Sequence, residues 1–258
     1  MAGNPNPSSA LLLFFIVTTV YFIIKYNLAG KSVMMTTIAY ILAVIIGEFF
    51  INLELTNEMC GEKQWGTAFV ITFAPWLIIF GLFIIMLDLF PGWKTPFSNT
   101  IGYGVALIGG VSAVVSSIFK DPKEVDAAGN KPMLQSVEYI YRDQSLLINE
   151  IGEGTEAFNN FWDTMKNAMK TGAHGDSVLK QQLQSLVNLK YLTSEYTWYL
   201  LTGALVTSIS YNYLINVGCN NSAKNMLNRR EAYNRKMKAK ATEEDKDKKD
   251  AVVYTATE

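Results

Sequence analysis

Two acidic residues stand where acids are expensive. Glu48 interrupts the apolar run Met34–Leu53, and Asp88 falls near the end of Ala68–Leu89. An ionised group at the centre of a bilayer costs about 2.5–3.5 kcal/mol on insertion scales, so such residues are candidates for proton or ion sites until a quieter role is found. Asp88 precedes Pro91 by three residues and is expected at the headgroups. Glu48, followed by Phe49-Phe50-Ile51, has no such escape: protonation, pairing with a polar group such as Asn212, an interfacial position at an early end of the run, or a place on an ion path are the readings open to it.

Other chemistry is sparse. His174 is the only histidine and sits in Gly172-Ala173-His174-Gly175, with no Cys or His nearby in sequence to complete a metal site. The chain lacks H-E-x-x-H, G-x-S-x-G, a Walker loop and a dinucleotide fingerprint. No catalytic group, metal or cofactor is expected, and the chain reads as a non-enzyme.

The elements that carry these residues are apolar helices. Residues 1–119 hold only nine Lys, Arg, Asp or Glu, and contain four runs, Leu11–Tyr26, Met34–Leu53, Ala68–Leu89 and Ile101–Phe119. Each approaches the roughly 20 residues that a helix needs to cross a bilayer core. Met1–Ser9 has no charged side chain, so the first run is expected to be a retained anchor rather than a signal peptide. A fifth run, Trp198–Val217, carries Thr202, Thr207, Ser208, Ser210 and Asn212 and is expected to face other helices. The fold class expected is all-α: a bundle of about five spans, divided as 1–119, an extramembrane helical domain at 120–195, the fifth span within 196–222, and a tail at 223–258.

Within 120–195 the periodicity predicts helices over Met133–Ile151, Thr155–Lys170 and Asp176–Thr193, the last capped by Asp176 and able to continue into the fifth span. The plain reading is a small hairpin burying its own apolar faces; the alternative leaves Phe158, Phe161 and Trp162 as a contact face. With five spans, the Lys/Arg rule puts the N-terminus outside and Lys25–Val33, Leu89–Thr100 and the tail inside, against the acidic 54–64 loop and 120–195 outside. Four spans would instead put 120–195 and the tail on one side. In the five-span arrangement Cys60 and Cys219 face opposite sides, and a disulfide between them is not expected. Asn220-Asn221-Ser222 matches a glycosylation sequon at the inner interface and reads as chance.

Small residues mark close packing in the fourth run. Gly102, Ala106 and Gly110 recur every fourth residue, as do Gly109, Ala113 and Ser117, forming two strips for helix contact within the bundle or between chains. Pro75 is expected to kink the third run. The tail splits into 223–241, with seven basic residues and Glu231, and an acidic, flexible end. Its basic part (Lys224, Arg229, Arg230, Arg235, Lys236, Lys238, Lys240) suits anionic headgroups or an acidic protein surface; without an aromatic platform it does not suggest nucleic acid.

The linker FPGWKTPFSNTIGY, residues 90–103, describes a rigid interfacial turn: Pro91, Gly92 and Pro96 set the backbone, Trp93 sits at the headgroups and Lys94 snorkels. This run, between two apolar spans, resembles a family of multi-pass membrane proteins encoded by large icosahedral double-stranded DNA viruses of algae and protists. The resemblance implies a virion protein in the inner membrane beneath the capsid, tying shell to bilayer. It implies membrane lipids and other capsid or membrane proteins as partners, with homo-oligomers open. The competing expectation is a channel or transporter with Glu48 and the kinked third helix along a polar path.

Overall fold

The computed structural model describes residues 8–28, 33–127, 131–216, 218–219 and 223–249. Lys31, the loop at 128–130, the sequon at 220–222 and the last nine residues lie outside the described residues, as do the side chains of Lys224 and Arg229.

The described residues are all-α apart from one antiparallel bridge between Phe119 and Met169. Three long apolar helices come first: α1 (Ser8–Leu28), α2 (Val33–Cys60) and α3 (Trp65–Leu89). All three are long and apolar enough to cross a membrane. Pro75 lies inside α3 and is followed by a π-helical stretch, Trp76–Phe80, which absorbs the missing backbone donor without ending the helix. Then come α4 (Pro91–Ile108) and α5 (Val111–Ile118), followed by α6 (Pro122–Ala127), α7 (Lys131–Arg142), α8 (Gln144–Glu150) and α9 (Thr155–Thr164). The long α10 (Ser177–Asn216) and the tail helix α11 (Ala223–Lys249) complete the fold.

Two cores divide the molecule. Phe14, Tyr21, Tyr40, Trp76, Phe80, Tyr199 and Val206 fill a bundle of α1, α2, α3 and the C-terminal half of α10. Tyr21 stacks on Tyr40 with ring centroids 4.3 Å apart, and the Thr18 and Tyr40 hydroxyls lie 3.0 Å apart, so aromatic packing and polar pairing reinforce one another. Phe14 fits where Gly203 has no side chain: a Cβ there would collide with its ring. The second core joins Ala106, Val111, Val115 and Ile118 to Val137, Ile140, Ile148, Phe158, Trp162, Leu183 and Val187.

That second core corrects the reading of Ile101–Phe119 as one continuous span. The pair α4 and α5 is bent by 81°, at Gly109-Gly110, where Gly110 adopts φ +94°, a conformation that favours glycine. By length and hydropathy the described residues contain three candidate spans, or four if this bent pair is one, rather than five. The apolar residues of 101–119 bury against the amphipathic helices that follow, and a domain boundary at 119 would cut this core. Hydropathy alone cannot tell a buried helix from a spanning one.

Three bonds overturn the proposed sidedness. Lys94 pairs with Glu153, with Nζ–Oε2 at 2.6 Å, and Lys25 pairs with Glu195 at 2.5 Å, so the basic loops and the 120–195 segment meet at one level. Cys60 and Cys219 form a disulfide, with Cα atoms 5.4 Å apart, joining the acidic loop to the base of the tail. None of these pairs can be made across a bilayer. The bend at Gly110 turns α5 out of the line of α4 and into the domain core, where the sequence pattern suggests a straight span.

The helix boundaries within the domain also shift. Met133–Ile151 divides at Asp143, whose carboxylate caps α8 by accepting from the Ser145 N–H at 2.9 Å. Thr155–Lys170 ends as a 3₁₀ turn, Met165–Ala168. Asp176 caps α10, accepting from the N–H groups of Val178 and Leu179 at 2.8 and 3.1 Å, and α10 runs unbroken for 40 residues.

Gly102 is where α4 meets α10 most closely: a Cβ there would collide with the Lys190 carbonyl oxygen. Because that obstacle is backbone, Gly102→Ala is expected to cost about 1–3 kcal/mol, the usual range for overpacking. Ala113→Leu, at an exposed position, should be tolerated. Thermal unfolding in detergent measures both, and an unchanged Gly102→Ala would mean that the two backbones do not touch.

Candidate functional site

The residues that could carry function gather at two levels of α10. The upper level is the junction between domain and bundle. The stretch Pro91–Asn99 wraps α10 here, because its prolines and glycine hold it close while its carbonyls seek donors. Trp198 Nε1 donates to the Trp93 carbonyl at 2.8 Å and Ser194 Oγ to the Lys94 carbonyl at 2.6 Å. The Trp198 ring packs on Phe83 and Phe97. Trp93 stays half-exposed, whereas Lys94 is buried and bonded to Glu153 instead of snorkelling to the headgroups. A nearby acceptor in a dry pocket holds an ammonium better than a distant aqueous one when the protein fold supplies it. Lys25 completes the junction, bonded to Glu195 and facing the rings of Tyr21 and Phe22.

One turn further into the domain, Lys190 is fully buried. Its Nζ donates to the Ile148 carbonyl at 2.9 Å and lies 4.6 Å from the centroid of the Tyr191 ring. Burial pulls its ammonium down to about 8. Lys190 was not singled out from sequence, yet it occupies an apolar stripe, Leu183–Val187–Lys190–Ser194, whose spacing signals a buried position.

The lower level lies inside the bundle. Glu48 is 1% exposed and neither of its carboxylate oxygens has a hydrogen-bond partner among the described residues. Asn212 does not supply one: it is exposed and bonds to Asn216. Asp88 is exposed at the end of α3. One turn below Glu48, Asn52 Nδ2 donates to Thr72 Oγ1 at 2.9 Å, which fixes the register of α2 against α3.

The expected packing strips separate. Gly102 and Ala106 are buried against α10 and the domain, Gly109 lies against Leu186, and Gly110 serves the bend; Ala113 and Ser117 are exposed. The expected contact face dissolves too. Phe158 and Trp162 are each 1% exposed and Phe161 packs on the same core, so these aromatics hold the domain together rather than present a surface. Trp162 Nε1 donates to the His174 carbonyl at 3.1 Å, and His174 Nε2 lies 3.0 Å from Asp163 Oδ1, a local clasp of the loop before α10. Among the described residues no group of three or more His, Cys, Asp or Glu converges as metal ligands do. On α11, Arg230, Arg235, Lys236, Lys238 and Lys240 are exposed alongside Met226, Tyr233 and Met237.

The buried lysine makes a pH test. Its folded-state value lies below that of an unfolded lysine, so between about 8 and the ordinary lysine range the unfolded chain binds more protons and stability rises with pH. The domain is expected to melt higher at pH 9 than at pH 7.5, and Lys190→Met should abolish that rise; an equal slope in the variant would assign it to other groups. Comparisons with protein-family models, with curated proteins and with solved structures each return no match.

Proposed function

We propose that this chain is a structural, non-enzymatic membrane anchor, whose bundle fixes a helical platform to one face of a bilayer and a basic helix to the other. The observation that carries this reading is α10. One helix of 40 residues lends its first half to the domain core and its second half to the bundle core, with no break between. At 1.5 Å per residue it is about 60 Å long, twice the thickness of a bilayer core, so the platform and the bundle move as one body. A catalyst needs convergent reactive groups; a strut needs continuity.

The bonds at the junction support a four-crossing arrangement: α1, α2, α3 and the lower half of α10 cross, and α4 to α9 remain on the Lys94 face. The disulfide and the tail then share the opposite face with residues 61–64. Basic residues occur on both faces in this arrangement, Lys25 and Lys94 on one, Lys63 and the tail on the other. The charge rule therefore does not select the orientation.

For the setting, the resemblance of FPGWKTPFSNTIGY to membrane proteins of large icosahedral viruses supports an inner virion membrane. The platform or the basic helix would there meet the capsid or its neighbours. The helix α11 suits anionic lipid, since each basic residue near such a surface contributes about 1 kcal/mol. A transporter is the second reading, carried by Glu48 alone.

Two measurements test the proposal. After reduction, a membrane-impermeant thiol reagent should label Cys60 and Cys219 from the same side of sealed vesicles; labelling from opposite sides would restore five crossings. Deleting residues 223–258 should leave insertion intact but reduce incorporation into particles, and reconstituted protein should conduct no ions above background. Normal incorporation of the truncated chain would exclude the tail as an anchor. A robust flux abolished by Glu48→Gln would favour the transporter.

A further inference from the structure

The bundle interior contains more polar chemistry than its packing consumes. Besides both oxygens of Glu48, the hydroxyls of Thr207 and Ser210 and the indole N–H of Trp76 are buried with no hydrogen-bond partner among the described residues. Thr207 and Ser210 are 4% and 1% exposed, and Trp76 is 1% exposed. Buried polar groups are rarely left in this condition, because each forfeits its bonds to water without replacement.

These groups occupy adjoining turns of one layer. The Asn52–Thr72 bond aligns α2 with the antiparallel α3, and one turn in the same direction from it lie Glu48 on α2 and Trp76 on α3. The Trp76 and Phe14 rings lie 5.4 Å apart, and Phe14 occupies the notch at Gly203, which sets α10 at the same height. Thr207 follows Gly203 by one turn and Ser210 by two. The Tyr40 and Tyr199 rings, with centroids 5.9 Å apart, give an independent register: Glu48 follows Tyr40 by eight residues and Thr207 follows Tyr199 by eight, each about 12 Å along its helix. α10 packs against both α2 and α3, and all four side chains are buried at this level of the bundle.

The donor set indicates what it would hold. Two carboxylate oxygens and two hydroxyl oxygens are hard ligands, suited to hard cations and not to copper or zinc, which prefer nitrogen and sulfur. A single carboxylate neutralises one positive charge, and a divalent ion would leave a net charge in the bilayer core. The Trp76 N–H cannot ligate a cation, but it can donate to a carboxylate oxygen and orient it. We propose that Glu48, Thr207 and Ser210 form an enclosed intramembrane site for one small monovalent cation of the sodium class, in exchange with a proton on Glu48. The site binds and stabilises the bundle; it requires no path across the membrane, and its existence does not depend on the anchoring role.

Dicyclohexylcarbodiimide provides the test, since it reaches acids in apolar surroundings and reacts with the protonated form. The carboxylic O–H adds across one N=C bond to give an O-acylisourea, which rearranges to a stable N-acylurea with no other reactant. In detergent-solubilised full-length protein, the reagent should modify Glu48, read as a mass increase on a peptide from α2 and absent in Glu48→Gln. Sodium chloride should slow the modification several-fold relative to choline chloride at equal ionic strength. Thr207→Val and Ser210→Ala should still be modified but lose the sodium protection, and retention of the Cys60–Cys219 disulfide on non-reducing gels would certify their fold. Modification that sodium, lithium and potassium all leave unchanged would mean that Glu48 holds only a proton and would overturn the proposal. Failure of Glu48 to react at all would do the same, by showing no exchangeable site.

Discussion

A helix about 60 Å long outreaches either core of this protein and joins the two. Ser177–Asn216 runs from one core into the other, and its neighbours change accordingly: Leu183 and Val187 in the domain, Lys190, Ser194 and Glu195 at the transition, Tyr199, Gly203 and Val206 in the bundle. Everything else in the fold is arranged along this axis. The turn at Pro91–Asn99 wraps the transition, α1 docks through Gly203, and α4 docks through Gly102.

The transition zone shows how charge is tolerated near a bilayer. Lys25 and Lys94 are each held by a carboxylate from the domain side, and backbone carbonyls of the wrapping turn take the Ser194 and Trp198 donors. Such pairs contribute little when fully solvated. Here their partners come from segments 170 and 59 residues away in sequence, so their effect is to fix which surfaces meet. The aromatic residues Tyr21, Phe22, Tyr196 and Trp198 line the same zone and supply the apolar area that the charges cannot.

The first three apolar helices were legible in sequence because length and composition suffice to find them, and so were the Asp176 cap and the unbroken passage of its helix into the last apolar run. Ile101–Phe119 was not. Its residues are as apolar as a span, and only the tertiary partners at Ile140, Ile148 and Leu183 reveal that they serve a domain core. The sidedness read from the charge rule rested on that span, and the Lys94–Glu153 and Cys60–Cys219 bonds do not fit it. At Phe158 and Trp162 the plain reading, burial within the domain itself, holds and the contact-face alternative fails, since an amphipathic stripe shows which face is buried but not by what. Glu48 was visible as an anomaly from its neighbours alone, whereas the unpartnered burial of Thr207, Ser210 and Trp76 shows only in the structure.

The disulfide has a topological effect beyond holding two ends together. Cys60 and Cys219 are 159 positions apart, so the bond turns the third helix, the whole domain and α10 into a single covalent ring. The first two helices and the tail leave that ring as two arms from one knot. A protease cutting once within the domain would open the ring without releasing a fragment, and the platform would stay attached to the membrane by both its halves. The knot can be tied only after α10 has docked against the first three helices, which makes the bond a chemical record that the bundle has been assembled.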